Sequence, residues 1–232
     1  MKNLILLLAL LSIGMMSCKK KGCTDSAAVN YSDEAKKDDE SCLYVPSISL
    51  NGSSSQNVPV GSTYIDLGAT ATDADGSSVT VITDISQVNT AALGTYTVTY
   101  TATNANGTAT ATRTLNVVID QSNWVGSPSC SDDCNLVLFP LSGSPTVSAG
   151  ATSSDIIIDN MFDIEGGTIN CTINGSTITV PLQTVPIVLG SIILSGSGTM
   201  NASGTQYTIN YSYDNTTPLI GGVGSCTGTY DI

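Results

Sequence analysis

Hydrophobic and polar residues alternate over long stretches of this chain, a pattern typical of β-strands with one buried face. The segment Tyr96–Ala102 places Tyr, Val, Tyr and Ala between threonines, and the alternation resumes from Ala109 to Val117. The two stretches flank Asn104–Gly107, which is rich in turn-forming residues. Two alternating strands around a short turn predict a β-hairpin.

The same alternation predicts a second group of strands between residues 124 and 232, and the polar residues Asp120–Asn123 just before it are interpreted as a joint. Ile169–Ile173 is followed by Asn174-Gly175, a strong signal for a type I′ hairpin turn. Consecutive hairpins give an antiparallel meander, which closes as an up-and-down barrel or folds over as a sandwich. We therefore predict an all-β protein, with later strands at Ile192–Met200, Gln206–Tyr213 and Cys226–Tyr230.

The amino-terminal residues follow a different pattern, because Leu4–Ile13 is almost entirely apolar and stands behind a single lysine, Lys2. The run is shorter than the roughly 20 residues that a membrane-spanning helix requires. Gly14–Cys18 resembles a lipobox, in which a small residue precedes the cysteine that receives a lipid. The sequence therefore predicts a lipoprotein signal peptide over residues 1–17, export of the remaining chain, and a membrane anchor on lipidated Cys18.

Charge is distributed unevenly along the chain. The formal net charge is −12, histidine is absent, every lysine lies at or before Lys37, and Arg113 is the only arginine. From Leu43 onward one basic residue stands against 13 acidic ones. A body this acidic repels phosphate backbones, so nucleic acid is not expected as a partner. Such a surface is either solvated or attractive to cations, and both interpretations stay open here.

Seven cysteines are present, and lipidation of Cys18 leaves six. An even number of cysteines in an exported chain predicts disulfides. Cys23 and Cys42 bound a segment too short to bury a core, so we predict that they form the bridge that stabilises it. In the chain-entropy model, closing a loop of that length stabilises the folded state by roughly 3 kcal/mol.

The other four cysteines lie beyond residue 124. We predict Cys130–Cys134, because the two are close in sequence, and Cys171–Cys226, because the first and last strands of a closed sheet lie side by side. The alternative that Cys130 or Cys134 reaches Cys226 stays open. The CxxxC spacing is interpreted as a disulfide and no metal is expected, since no histidine or second cysteine pair stands nearby.

Residues 18–44 are predicted to form a lipidated tether. Lys19–Lys21 suits anionic lipid headgroups, and by resemblance to enteric lipoproteins a lysine after Cys18 implies the outer membrane, with the periplasmic or surface face unresolved. Residues 22–44 resemble a cysteine-bounded module of exported Bacteroidetes proteins, except that Glu40 replaces the usual glycine. The acidic residues of the module are interpreted either as a solvated spacer or as calcium ligands. The matching positions are Gly22, Cys23, Thr24, Asp25, Ala28, Asn30, Tyr31, Ala35, Asp38, Asp39, Ser41, Cys42 and Tyr44.

Residues 45–119 resemble the bacterial immunoglobulin-like (Ig-like) domains of surface proteins and of some insecticidal crystal proteins. Four segments carry the resemblance: Pro46–Gly52, Val60–Ala69, Ala71–Gly76 and Leu93–Ala102. The resemblance implies a β-sandwich that serves as a stalk. Asp73-x-Asp75-Gly76 is also a fragment of a calcium loop, but it lacks the later ligands, so a plain β-turn is the preferred interpretation.

Residues 124–232 resemble a small lipocalin-like domain that follows Ig-like modules in Bacteroidetes lipoproteins. The run Gly196–Thr199 and the closing Ser225–Tyr230 carry the resemblance. The lipocalin Gly-x-Trp signature is missing. The resemblance implies a β-domain that is the working end of the protein.

The sequence offers little catalytic chemistry. Without histidine, and with lysines confined to the tether, no set of nucleophile, base and orienting residue can be assembled. No phosphate-binding loop or zinc spacing is present, so no cofactor is expected. Only a glycosidase that uses carboxylates alone stays open as an enzymatic alternative. Its candidates are Asp155, Asp159, Asp163 and Glu165.

One strand carries a candidate ligand face. Tyr207, Tyr211 and Tyr213 alternate with polar residues and form either an ordinary core or an aromatic platform for a sugar or a small apolar ligand. We therefore expect a membrane-anchored, non-enzymatic envelope lipoprotein that binds a glycan or a protein partner. The alternatives are a small-ligand carrier with a barrel cavity and the carboxylate-only glycosidase.

Overall fold

A computed structural model of the chain describes residues 19–134, 140–163, 167–187, 190–218 and 221–232. The predicted signal peptide and Cys18 lie outside the described residues. The chain divides into two compact units that are each discontinuous in sequence. Among the described residues, the first unit holds those up to Asn51 together with Gly68–Thr83 and Tyr100–Ala111, and the second holds those of Gly52–Leu67, Asp84–Thr99 and Thr112–Ile232.

The regular secondary structure of the described residues is almost entirely β, which confirms the predicted fold class. One short helix, α1 (Gln121–Trp124), is present among them. The strands are β1 (Ser47–Leu50), β2 (Ser55–Pro59), β3 (Ala69–Thr72), β4 (Ser78–Val79), β5 (Val81–Asp84), β6 (Gly94–Asn104), β7 (Gly107–Val118), β8 (Ser129–Asp132), β9 (Thr146–Ala149), β10 (Asp155–Asp159), β11 (Ile169–Asn174), β12 (Thr177–Ile187), β13 (Gly190–Met200), β14 (Gln206–Asn215) and β15 (Gly222–Asp231).

The segment before β1 is held by a covalent bridge and polar contacts. The disulfide joins Cys23 to Cys42, the pair predicted from the sequence. The Tyr44 hydroxyl donates a hydrogen bond to Asp25 Oδ2 at 2.8 Å. A parallel bridge between Lys21 and Lys37 brings two lysine-containing stretches next to each other. The local fold therefore depends on contacts that are distant in sequence within this segment.

Strands β1 to β7 form two sheets, as expected for an Ig-like sandwich. One has the order β1-β3-β4 and the other the order β2-β7-β6-β5. The hairpin of β6 and β7 is the one that the alternating sequence predicts. β2 lies parallel to β7, with Val58 opposite Val117, and both of these valines are buried.

The remaining strands form one antiparallel sheet in the order β8-β15-β14-β13-β12-β11-β10-β9. Strands β9 to β15 follow one another as the predicted meander, and β8 pairs with β15. The sheet curls into a half-barrel, because the inward side chains of successive strands belong to one hydrophobic cluster. The sheet curls as the barrel alternative predicted, but among the described strands β8 and β9 remain its two edges, so it is not a closed barrel.

Two glycines in β13 permit this curvature. Gly198 lies opposite Ile209, and a Cβ at residue 198 would collide with the backbone oxygen of Thr208. Gly196 lies opposite Tyr211, and a Cβ there would be 3.2 Å from Tyr211 Cδ1. Glycine in a strand interior often marks such a bend, because the neighbouring backbone or ring takes the space of the missing side chain.

The polar joint at residues 120–123 is a packed part of the second unit. Trp124 is 0% exposed, and its ring centroid lies 5.0 Å from that of Tyr207. Asn123 Nδ2 donates to the Val60 carbonyl at 3.0 Å. Val60 and Trp124 belong to the same core cluster as the curled sheet. Within the second unit, the end of the Ig-like segment is thus fixed to the sheet, while the domain boundaries at residues 119 and 124 stay predictions.

The single arginine of the chain is buried in the second unit. Arg113 is 0% exposed, its Nη1 lies 2.9 Å from Asp66 Oδ1, and its Nε donates to the Ser53 carbonyl at 3.0 Å. A buried guanidinium requires such partners, because an unpaired charge in the interior is strongly unfavourable. Arg113 therefore serves the fold and contributes no positive charge to the surface.

Replacing Arg113 with Ala should lower the free energy of unfolding by about 3 kcal/mol, because it removes one partner of a buried ion pair. Urea unfolding followed by circular dichroism measures the change. Lys36→Ala, which removes an exposed cation, should change the free energy by less than about 0.5 kcal/mol. Equal midpoints for both variants would contradict the structural role of Arg113.

Candidate functional site

The candidate site is an open groove in the second unit, which we call the joint groove. It has a volume of about 420 Å³, within the range of roughly 300–1,000 Å³ typical of ligand sites. Three chain segments line it: Ile119–Ser122 of the joint, Ser153-Ser154 before β10, and Ile173–Gly175 at the end of β11. These segments are distant in sequence, and the curled sheet brings them together.

Hydrogen bonds fix the three walls of the joint groove. Asp120 caps α1 by accepting from the Ser122 backbone nitrogen at 2.9 Å. Gln121 Nε2 donates to the carbonyls of Thr152 at 2.8 Å and Asp155 at 2.6 Å, which ties the joint to the turn before β10. Trp124 Nε1 donates to the Gly175 carbonyl at 3.2 Å. The groove is therefore preformed on a packed scaffold.

Several polar groups of the joint groove take no part in holding the fold. The side chains of Ser153, Ser154 and Asn174 are exposed and form no hydrogen bond with the described residues. Asp120 adds a carboxylate whose Oδ1 accepts from Ser122 Oγ at 2.6 Å. Hydroxyl, amide and carboxylate groups together donate and accept hydrogen bonds, which suits a ligand that does both.

Sequence reasoning did not identify this groove. It interpreted residues 120–123 as a polar joint and Asn174-Gly175 as a hairpin turn, and both segments do lie outside strand interiors or at a strand end. No periodicity in the sequence indicates that two loops more than 50 residues apart will meet. The one signal in the sequence was the run of polar residues Asp120–Asn123 directly before Trp124, the single tryptophan.

The predicted aromatic platform belongs to the core. Tyr207 is 1% exposed and Tyr211 is 3% exposed. Tyr207 stacks on Tyr230 with ring centroids 4.6 Å apart, and the Tyr211 and Tyr230 hydroxyls are hydrogen-bonded at 2.8 Å. Tyr213 is half-buried. The ligand-face hypothesis is therefore wrong for Tyr207 and Tyr211, because the curling of the sheet turns this face inward.

The carrier alternative receives no support from the described core. Beside Tyr211 and Tyr213, the space enclosed with Leu141, Phe162 and Leu194 is about 10 Å³, and a single water molecule already needs roughly 10–15 Å³. The inward side chains of the curled sheet form one buried hydrophobic cluster where the sheet is described.

The second disulfide differs from the sequence prediction. The structure joins Cys134 to Cys226 and leaves Cys130 and Cys171 as free thiols. The predicted pairs Cys130–Cys134 and Cys171–Cys226 are therefore wrong.

Strand geometry explains both differences. Cys130 lies in β8, and Cys134 follows four residues later. An extended chain of four residues spans about 13 Å, which is too far for a disulfide between Cys130 and Cys134. β8 pairs with β15 so that Cys130 faces Tyr230 and Asp132 faces Gly228. Continuing that antiparallel register by two residues sets Cys134 opposite Cys226. Cys171 lies in β11, and three strands separate β11 from β15.

The two free thiols and three buried tyrosines form a set of protonated groups in the core. Burial raises the pKa of Cys130 to about 11 and that of Cys171 to about 12. Burial also raises the pKa values of Tyr207, Tyr211 and Tyr230 above the ordinary range. A thiol needs its thiolate form to react, so both cysteines should be unreactive in the folded protein at neutral pH.

We expect the protein to lose stability in alkali. Unfolded thiols and tyrosines ionise near pH 9 and 10, whereas the folded groups keep their protons, so stability is complete below about pH 9 and falls as the pH rises toward 11 or 12. Urea midpoints between pH 7 and pH 11, together with phenolate absorbance, measure this effect. A gradual ionisation of all tyrosines near pH 10 without loss of the fold would contradict it.

The carboxylate candidates are engaged in local structure. Asp155 Oδ2 accepts from Thr152 Oγ1 at 2.6 Å, and Asp159 Oδ1 accepts from Thr168 Oγ1 at 2.6 Å. The two lie at opposite ends of β10, roughly 13 Å apart along an extended strand, which is farther than a glycosidase pair requires. Asp163 is exposed in a turn, where its backbone nitrogen donates to the Pro140 carbonyl at 3.1 Å, and Glu165 lies outside the described residues. The structure therefore gives no support to a carboxylate-only glycosidase.

The acidic residues considered as calcium ligands also close turns. Asp38 and Asp39 accept from the backbone nitrogens of Glu40 and Ser41 at 3.1 and 3.2 Å. Asp73 accepts from Asn104 Nδ2 at 3.0 Å, and Asp75 accepts from the Ser77 nitrogen at 2.9 Å.

In the described part of the chain, one group of three potential metal ligands comes together. It is Asp133 with Cys134 and Cys226, and its two sulfurs are joined as the disulfide. Those sulfurs are not thiolates, so the group is unsuited to hold a metal. Within the same part of the chain, no helix has the length and apolar character needed to cross a membrane.

Comparison with known proteins identifies one segment. Residues 48–117 match the family model described as bacterial surface protein, Ig-like domain, which confirms the predicted Ig-like domain and indicates a surface or envelope protein. No curated protein shows significant similarity to the chain. Among solved structures, the lipoprotein BT2262 from Bacteroides thetaiotaomicron is 15% identical and covers 81% of this chain and 100% of its own, with a TM-score of 0.31.

Proposed function

We propose that this chain is a lipid-anchored envelope protein that binds glycans in the joint groove without chemical conversion. The observation that carries the proposal is the groove itself, which presents unused hydroxyl and amide groups beside the exposed Asp120 carboxylate on a packed β-scaffold. A sugar offers hydroxyls that both donate and accept, so each of these groups has a complementary partner on the ligand. The Ig-like segment acts as a stalk in this proposal.

A glycan fits the joint groove better than a protein partner does. Tight protein interfaces depend on large apolar anchors that enter pockets, but Ile119 and Ile173 of the groove are themselves buried. Strand addition is also disfavoured at the β9 edge, because Gly126 and Val147 already exchange backbone hydrogen bonds at 2.9 and 2.8 Å. The groove therefore offers a polar ligand more contacts than it offers a peptide.

A glycan array tests the proposal, probed with the full mature chain carrying Cys18→Ser so that it remains unlipidated. The double variant Ser153→Ala/Asn174→Ala should bind the selected glycan about tenfold more weakly, because it removes two groups that form hydrogen bonds with the ligand. The control Ser197→Ala/Ser212→Ala changes exposed side chains on β13 and β14 and should bind normally. Equal binding by both variants, or no binding to any glycan of the array, would contradict the proposal.

Membrane anchoring is the second part of the proposal and rests on Met1–Cys18. Cys18→Ala should abolish acylation, so that the protein leaves the membrane fraction or accumulates unprocessed. Metabolic labelling with an alkyne fatty acid, followed by fractionation, measures this. Unchanged labelling would refute the anchor without affecting the groove. Separation of inner and outer membranes then tests the proposed outer-membrane location.

A further inference from the structure

We infer that the joint groove selects uncharged glycans and rejects acidic ones such as uronic acids and sulfated sugars. This inference rests on the proposed function and adds the class of glycan. It follows from the distribution of charge in the folded chain, which neither the sequence nor the groove establishes by itself.

The first step is the surface charge. Beyond Lys37 the sequence contains no lysine or histidine and one arginine, Arg113. Arg113 is 0% exposed and is paired with Asp66 at 2.9 Å. From residue 38 to residue 232 the chain therefore presents no cationic side chain to a ligand. Proteins that recognise carboxylated or sulfated ligands commonly use arginine, whose paired donors match those oxygens.

The second step is the charge within the joint groove. Asp120 is exposed at the groove, and its Oδ1 is held by the Ser122 backbone nitrogen at 2.9 Å and by Ser122 Oγ at 2.6 Å. These contacts hold a carboxylate at the site. An acidic sugar in the groove would meet this carboxylate without a compensating cation, and like charges at such distances repel.

The third step is the electrostatic field of the whole chain. The chain has a formal net charge of −12, so an acidic ligand is also repelled before it reaches the groove. Salt screens this repulsion, since the Debye length falls from about 30 Å at 0.01 M to about 8 Å at 0.15 M. The binding of an acidic glycan should strengthen with salt, whereas the binding of a neutral glycan should hardly change.

The test compares one oligosaccharide in two charge states. Neutral gluco-, xylo-, manno- and chito-oligosaccharides are titrated into the full mature chain carrying Cys18→Ser. Calorimetry and the fluorescence of Trp124 are recorded, because Trp124 donates to Gly175 of the groove wall at 3.2 Å. Any oligosaccharide that binds and has a free 6-hydroxyl is then compared with the same oligosaccharide oxidised at C6 to the uronic acid. For one that lacks a 6-hydroxyl, a sulfated form serves as the acidic counterpart.

Two matched variants separate the groove from the general field. Asp120→Asn removes the groove carboxylate but keeps an oxygen for the cap, and Asp214→Asn removes an exposed charge of β14 outside the groove lining. We expect the acidic form to bind the parent protein at least about tenfold more weakly than the neutral form. Asp120→Asn should reduce the ratio of the dissociation constants of the acidic and neutral forms more than Asp214→Asn does.

Equal or tighter binding of the acidic form would overturn the inference and leave glycan binding in the groove intact. The inference is also overturned, with glycan binding intact, if Asp120→Asn and Asp214→Asn change the ratio of the two dissociation constants equally. The groove carboxylate would then have no special part in the selection. If no oligosaccharide binds, the proposed function fails and this inference fails with it.

Discussion

Replacing Trp124 with Ala should lower the free energy of unfolding by about 4 kcal/mol, in line with the loss of a large buried aromatic side chain. Trp124 is 0% exposed, its ring lies 5.0 Å from that of Tyr207, and its Nε1 bonds to the Gly175 carbonyl at 3.2 Å. The substitution leaves a cavity at the point where the joint meets the curled sheet, and the surrounding β-structure cannot collapse fully into it.

The Trp124→Ala variant should also weaken ligand binding, because Gly175 is part of the joint groove. Urea unfolding followed by circular dichroism gives the stability, since the variant lacks the fluorescent reporter. Trp124→Phe keeps an aromatic ring and loses the hydrogen bond, so we expect a loss of about 1–2 kcal/mol. Val125→Ala, at a neighbouring residue that is 37% exposed, should have little effect. A small effect of Trp124→Ala would mean that the joint is not a packed element.

Removing the Cys134–Cys226 bridge should have an effect of similar size. Its partners are 92 residues apart, and closing a loop of that length corresponds to about 4.5 kcal/mol in the chain-entropy model. The double variant Cys134→Ser/Cys226→Ser loses this constraint, and the pairing of β8 with β15 at the end of the sheet should loosen. We expect a fall in unfolding free energy of about 2–5 kcal/mol, measured in urea without reductant.

Two controls identify the bridge as the cause. Cys130→Ser changes a free, half-buried thiol in β8 and should cost about 1 kcal/mol or less. Peptide mapping under non-reducing conditions should recover a Cys134–Cys226 peptide from the parent protein. Recovery of Cys130–Cys134 or Cys171–Cys226 would contradict the register of β8 against β15.

The local β-structure follows from the amino-acid pattern alone. Alternation in Tyr96–Ala102 and Ala109–Val117 predicted the hairpin of β6 and β7, and Asn174-Gly175 predicted a turn between β11 and β12. The predicted type I′ geometry is wrong, because Asn174 pairs with Thr177 and, of the two turn residues Gly175 and Ser176, only Gly175 has a positive φ, of 55°. The reason is that a strand with one buried face imposes a period of two on its own residues, and a two-residue turn requires particular residue types. The Cys23–Cys42 pair could also be predicted from the sequence, because its partners are only 19 residues apart and bound a segment too short to bury a core.

Long-range packing sets which face of the sheet turns inward and which loops meet. The alternation around Tyr207 is the same whether the face is a core or a platform, and only the curl of the sheet buries it. Cys134 meets Cys226 because the register of β8 against β15 sets them opposite each other. The joint groove arises because a curled sheet brings Asp120, Ser154 and Asn174 together. Register, curvature and loop proximity are long-range properties, and the period of a single strand carries no information about them.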